Sequence, residues 1–202
     1  MSVALALIDY GAGNLHSVAN ALKAAGGTAT ITADPDVVAS ADRIVLPGVG
    51  AFGACAAALR AVPGMVEAMD ARVRGDGAPF LGVCVGMQLM ATAGDELGEH
   101  AGLGWLDGRV TRLTPSDPAA KVPHMGWNDV APTTDHPLIA PGEAYFLHSY
   151  AYAGEDVIAT TDHAGSVTAA IGRDNLLGVQ FHPEKSQRYG IALLERFLEW
   201  HP

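Results

Sequence analysis

Along the first ninety positions, apolar residues come in short unbroken runs separated by stretches where they recur at helical spacing. Residues 3–8 (Val-Ala-Leu-Ala-Leu-Ile) read as a buried strand ending at the turn Asp9-Tyr10-Gly11-Ala12-Gly13-Asn14. Leu15, Val18, Ala19 and Leu22 then carry a helical stripe to Gly26-Gly27. Residues 28–32 and 42–46 read as the next two strands, the second closed by Pro47-Gly48-Val49-Gly50-Ala51-Phe52-Gly53. Residues 55–61 and 65–73 have a helical pattern, and residues 80–83 form a fourth apolar run. Strands alternating with helices predict parallel β-α-β units, which gather ligands at the carboxyl ends of their strands. The glycine-bearing turns after Ile8, Leu46 and Val83 are therefore expected on one rim.

From Gly98 the pattern changes. Strand-like runs follow at residues 103–113, 123–130, 144–150, 157–161, 167–173 and 176–181, with turn residues between them, which predicts antiparallel or mixed pairing. Residues 186–200 close the chain as an amphipathic helix with Ile191, Leu194, Phe197 and Leu198 on its apolar stripe. The expected fold class is α/β: an open mixed, mostly parallel sheet flanked by helices, with an antiparallel β extension in the C-terminal half. No break in composition marks a linker, so residues 1–202 are expected to form one domain.

The fourth strand carries the first candidate chemistry. Gly82-Val83-Cys84-Val85-Gly86 has the form of a nucleophile elbow, Gly-x-Nu-x-Gly, with sulfur as the nucleophile. A strand that turns at once into a helix crowds its backbone, which is why both flanking residues are glycine. Cys84 would project from the tip, where free N–H groups at a helix N-terminus favour thiolate over thiol. Taken alone, Cys84 could equally be a small buried hydrophobe. Residues 176–182 end in His182, and Pro183-Glu184 places an acid two residues on. If the extended conformation persists through the proline, His182 and Glu184 point to one side. That would supply the base, the acid and the orienting carboxylate of a Cys-His-Glu triad. A third part is Pro47-Gly48-Val49-Gly50, a turn able to present backbone N–H donors to a developing oxyanion without steric cost. Gly48, Gly50 and Gly53 also spell G-x-G-x-x-G, but a dinucleotide fingerprint belongs in the first β-α unit with an acid ending the next strand, and that strand ends in Cys84.

Composition narrows the partners. A net charge of −10 and a pI near 5.1 argue against nucleic acid and anionic membrane. Only Cys55 and Cys84 are present, so there is no disulfide framework, and no His or Cys stands in a metal-ligand spacing; no metal or other cofactor is expected. Residues 3–8 are too short to span a bilayer and lack the features of a leader, which leads to a cytoplasmic expectation. On single-residue grounds His124 and His148, set among aromatics, read as packing residues. Gln88 lies one turn past Cys84, where it could bind a polar substrate or be a plain helix residue.

Taken together, Pro47-Gly48-Val49-Gly50, residues 82–88 and Phe181-His182-Pro183-Glu184-Lys185-Ser186 resemble the triad-type, class I glutamine amidotransferases over essentially the whole chain. Residues 9–15, Pro123-His124-Met125-Gly126-Trp127-Asn128 and Phe146-Leu147-His148-Ser149-Tyr150 resemble, within that group, the glutaminase subunits of imidazole glycerol phosphate synthases. The resemblance implies that Cys84 attacks the side-chain amide of glutamine, His182 protonates the leaving ammonia and Glu184 holds His182. It also implies that Gly48, Val49 and Gly50 form an oxyanion strand and that Gln88, His148, Ser149 and Tyr150 line the glutamine pocket. The ammonia would pass to a separate (β/α)8-barrel cyclase subunit in histidine biosynthesis, docked through Tyr10, Asn14, Met125, Trp127 and Lys185 as a heterodimer. Val85, where such proteins usually carry leucine, and Ala151, where an aromatic often follows, depart from the pattern. Competing expectations are a free-standing γ-glutamyl hydrolase or cysteine peptidase using the same elbow, an amidotransferase subunit of another pathway, and a redox-sensing module with an exposed thiol.

Overall fold

A computed structural model describes residues 3–202. The strand-then-helix alternation of the first half forms β1 (Leu5–Ile8), α1 (Leu15–Ala24), β2 (Ala29–Thr32), α2 (Pro35–Ala39), β3 (Arg43–Leu46), α3 (Phe52–Ala61), α4 (Met65–Met69) and β4 (Phe80–Val83). Every residue of β1, β3 and β4 is buried, as in strands covered on both faces. α1 begins at Asn14, whose side chain accepts from the Ser17 N–H at 3.4 Å. α4 runs on into a π-helical stretch, Asp70–Gly75, so the helix expected at 65–73 is two geometries in series. The second half forms α5 (Val85–Gln88), β5 (Ala91–Gly94), β6 (His100–Ala101), β7 (Leu106–Arg112), β8 (His124–Pro132), β9 (Gly142–His148), β10 (Tyr150–Gly154), β11 (Val157–Asp162), β12 (Ser166–Arg173), β13 (Leu176–Val179) and α6 (Gln187–Glu199).

Nine strands form one sheet in the order β2-β1-β3-β4-β13-β12-β11-β8-β9. Pairing is parallel from β2 to β13 and antiparallel from β13 to β9. The sheet is thus half parallel, and the expectation of a mostly parallel one holds for its N-terminal half only. A second sheet, β10-β7-β5-β6, was not foreseen. The run expected as one strand at 144–150 breaks at Ser149, where β9 stays in the large sheet and β10 crosses to β7.

Register sets the functional rim. Leu46 lies opposite Gly82, and Gly82 opposite Gly178, so the segments following β3, β4 and β13 leave the sheet side by side. α6 packs Leu193, Leu194 and Phe197 onto a continuous apolar core. The buried Arg43 reaches the end of that helix, its Nε donating to Phe197 O at 3.1 Å and its Nη2 to Trp200 O at 2.6 Å. These bonds tie the end of that helix to β3, the Phe197 carbonyl also accepting from the Trp200 N–H. Among the described residues no single helix is long and apolar enough to cross a membrane.

Candidate active site

Cys84 sits between β4 and α5 at φ 54° and ψ −112°, a left-handed conformation that costs a non-glycine residue of order 1–3 kcal/mol. Both elbow glycines are sterically required. A Cβ on Gly86 would lie 1.9 Å from Leu46 O, and one on Gly82 would lie 2.8 Å from the Gly86 backbone. The helix after Cys84 is a single turn of four residues, shorter than the pattern to Met90 suggests, because β5 begins at Ala91.

His182 follows β13 and is nearly inaccessible to solvent. Its Nδ1 meets Glu184 Oε1 at 2.8 Å, with the two side chains only 3% and 2% exposed. The route to this pair differs from the expected strand alternation. Pro183–Lys185 is a 3-10 turn, and the turn brings the carboxylate back under the imidazole. Ser186 fixes it, donating from Oγ to His182 O at 2.6 Å while accepting from the Tyr145 N–H at 2.9 Å. Burial disfavours the imidazolium, but hydrogen bonding and attraction from Cys84 and Glu184 outweigh it, and the His182 pKa is pushed up to about 9. With Nδ1–H committed to Glu184, Nε2 is the nitrogen left for the sulfur side. Such a trio can activate a thiol and then protonate a leaving amine.

On the neighbouring strand end, Val49 and Gly50 line the same cavity as Cys84. Gly48 packs behind them, where a Cβ would fall 2.6 Å from Gly86 N and 2.9 Å from Tyr10 Oη. The N–H of Val85, which follows Cys84 and was not among the expected site residues, points to Gly48 O at 3.4 Å, so in this structure it is committed to that carbonyl. Tyr10 Oη donates to Pro47 O at 2.8 Å and Cys55 Sγ to Val49 O at 3.4 Å, holding the strand on either side.

The cavity of about 300 Å³ is walled by Val49, Gly50, Cys84, Val85, Gln88, Glu96, Pro123, Leu147, His148, Ser149, Tyr150, His182 and Lys185. The residues expected to bind substrate thus converge. Glu96 was missed, since nothing in a lone acid after β5 distinguishes it; it lines the cavity, and its Oε2 accepts from the Phe52 N–H at 2.8 Å. A larger cavity of about 740 Å³, lined among others by Gly77, Arg173 and Trp200, lies near the start of β4 at the opposite end of the sheet and holds none of the expected residues.

His148 and His124 are buried, as their packing reading requires, and they are also chemically ordered. His148 Nδ1 lies 2.9 Å from Tyr150 O, which can only accept, so Nδ1 carries the proton and Nε2 accepts. His124 Nδ1 then donates to His148 Nε2 at 3.1 Å, and Asn128 Nδ2 donates to His124 Nε2 at 3.1 Å. Burial first, and the neighbouring His163 second, lower the pKa of His124 to about 4. For His148, burial likewise dominates over the bond to Tyr150, giving about 4. Both rings are neutral near pH 7.

The residues expected to dock a partner divide. Met125 and Trp127 are exposed on the outer face of β8, beside their β9 register partners Leu147 and Tyr145. Lys185 Nζ stands 5.9 Å over the Tyr145 ring and also lines the cavity. Asn14 is exposed at the start of α1. Tyr10 is a correction: its ring is buried behind the Pro47–Gly50 segment because its hydroxyl bonds Pro47, so its side chain is not available to a docking face.

A model of the family described as glutamine amidotransferase class-I matches residues 6–200. The chain belongs to that family. It is 62% identical over 208 residues to the imidazole glycerol phosphate synthase subunit HisH of Zymomonas mobilis, covering 100% of this chain and 98% of the relative. The HisH subunit of Caulobacter vibrioides is 51% identical over 211 residues, covering 98% and 99%. Among solved structures, PurLQS from Thermotoga maritima aligns with a TM-score of 0.75 at 19% identity, covering 98% of this chain and 99% of that one. A structure described as a glutamine amidotransferase aligns at 0.74 and 18% identity, covering 96% and 97%. At those identities the structural likeness speaks for the fold alone.

Proposed function

We propose that this chain hydrolyses glutamine to glutamate and ammonia and supplies the ammonia to a cyclase subunit of imidazole glycerol phosphate synthase in histidine biosynthesis. The observation that carries the chemistry is the meeting of Cys84 and His182 from adjacent strand ends on one small cavity, with Glu184 bonded to the far nitrogen of His182. Full-length identity of 47–62% to HisH subunits supports the pathway. In this reading Cys84 Sγ bonds to the side-chain carbonyl carbon of glutamine, the C–N bond breaks, and His182 passes its proton to the departing ammonia. Water, deprotonated by His182, then cleaves the thioester and releases glutamate. Glu184 keeps Nε2 of His182 turned to the sulfur. The Val85 N–H and the Gly48–Gly50 strand hold the oxyanion once Gly48 O has turned away. Gln88, His148, Ser149 and Tyr150 wall the substrate, and the Glu96 carboxylate suits its α-ammonium group.

The product has to leave toward a partner. Met125, Leu147 and Trp127 form an exposed apolar stripe next to Pro123 and Lys185 at the cavity wall, where a (β/α)8-barrel subunit can dock to give a heterodimer. Asn14, exposed on the same rim, fits the edge of that face. A cytoplasmic location accompanies the pathway assignment. The deciding experiment measures glutamate release by the purified chain, alone and with the cyclase subunit and its carboxamide substrate, with Cys84→Ala as blank. Low activity alone and a rise by orders of magnitude in the complex are expected. Full activity alone, indifferent to the partner, would overturn the pathway reading in favour of a free-standing hydrolase.

A further inference from the structure

We infer that Gln180 is the hydrogen-bond donor that supports negative charge on the Cys84 sulfur as it develops, and that Gln88 is the positioning residue that aims it. Gln180 follows β13, is completely buried, and places Nε2 3.7 Å from Cys84 Sγ. An amide side chain can present either its oxygen or its nitrogen, and here the choice is forced from a distance. Tyr150 O is a backbone carbonyl and can only accept, so the Gln88 atom 3.0 Å from it must be Nε2. The same Nε2 lies 3.0 Å from Gln180, which must therefore answer with Oε1. Nε2 of Gln180 is left facing the sulfur. The polarity of the relay runs from Cys84 through two amides to one carbonyl, and a reversed Gln180 would set two acceptors, its oxygen and the thiolate, against each other.

An N–H aimed at sulfur favours the charged form, because hydrogen bonds to an ion are about twice as strong as neutral ones. Such a donor is needed here. α5 is a single turn, and the adjacent Val85 N–H is taken by Gly48 O. The relay also changes the role of Gln88: both its N–H groups are committed to protein acceptors, so Oε1 is the only polar atom it can offer a ligand. This inference rests on Cys84 being the nucleophile, and its test does not require turnover.

Alkylation of Cys84 by iodoacetamide, followed across pH and resolved from Cys55 by peptide mass, reports thiolate directly. In Gln180→Met, which keeps the volume and removes the donor, the alkylation profile should move to higher pH, with the rate near neutrality down about tenfold. The kcat for glutamine should fall in parallel with KM unchanged. Gln88→Met, which leaves Gln180 in place but unaimed, should shift the alkylation profile in the same direction by less, and it decides the matter if Gln180→Met does not fold. Alkylation profiles of both variants coinciding with the parent would overturn the relay. A parent that alkylates as described but releases no glutamate would instead overturn the glutaminase reading and leave the relay standing.

Discussion

His182 and His148 stand on the same cavity, 3% and 6% exposed, and their proton affinities are driven in opposite directions. His182 belongs to the parallel half of the sheet and faces a carboxylate and a thiol. Those groups reverse the effect of burial and hold its pKa at about 9. His148 ends β9 in the antiparallel half and faces a carbonyl and another histidine, which do not compensate for burial, so it sits at about 4. Burial alone therefore does not decide the charge of a histidine; the partners do. In the proposed mechanism one half of the sheet supplies groups that carry and move a proton, and the other supplies neutral walls and an exposed apolar stripe.

The comparison can be broken at its strongest point first. Cys84→Ala should abolish glutamine hydrolysis, by about 10⁴-fold or more, while the melting temperature stays near that of the parent, since the elbow backbone is set by its glycines. Glu184→Gln should lower kcat by roughly 10²–10³-fold by removing the charge that supports the His182 imidazolium, and should move the alkaline limb of the kcat profile to lower pH. In the unliganded parent His182 holds the proton it has to donate up to about pH 9. On the other half, Trp127→Ala should weaken association with the cyclase subunit by about tenfold or more in a titration, leaving the fold intact because the ring is exposed.

The smallest expected effect concerns stability against pH, and it has opposite signs in the two halves. His124 and His148 have folded pKa values below the ordinary histidine value of 6.5, so the unfolded chain binds more protons between about 6.5 and 4, and stability is lost as pH falls through that window. His182 has its value raised from 6.5, so its contribution is complete below 6.5 and is lost as pH rises through about 9. Melting temperatures across pH should fall at both ends. In His148→Gln, which cannot gain a charge, the loss toward pH 4 should be smaller than in the parent.

The legible parts of the molecule were those with local causes. The elbow could be read because a strand-to-helix turn at Cys84 tolerates nothing but glycine at 82 and 86, and β1, β3 and β4 could be read because strands covered on both faces are apolar throughout. The pairing of His182 with Glu184 was read for an incomplete reason, since a 3-10 turn and not strand alternation brings them together. Glu96, Ser186 and Gln180 went unnoticed, because an isolated acid, serine or glutamine carries no pattern until something faces it. Tyr10 was placed on the wrong side of its turn, because a tyrosine beside glycines can face solvent or fold under, and only the acceptor at Pro47 O decides.

By itself the sequence determined the alternation of buried strands and helices and the cysteine at a glycine-flanked elbow, both of which follow from steric and apolar demands between neighbours in the chain, and it carried the residue types on which the proposed acyl-transfer chemistry rests. Only the tertiary structure decided the half-parallel sheet, the register that sets Pro47, Cys84 and His182 side by side, the carbonyl resting against Val85, and the amide polarity imposed by Tyr150 O. Those features depend on which hydrogen-bonding group meets which across the fold, and a donor and an acceptor distant in sequence acquire direction only when packing brings them within reach.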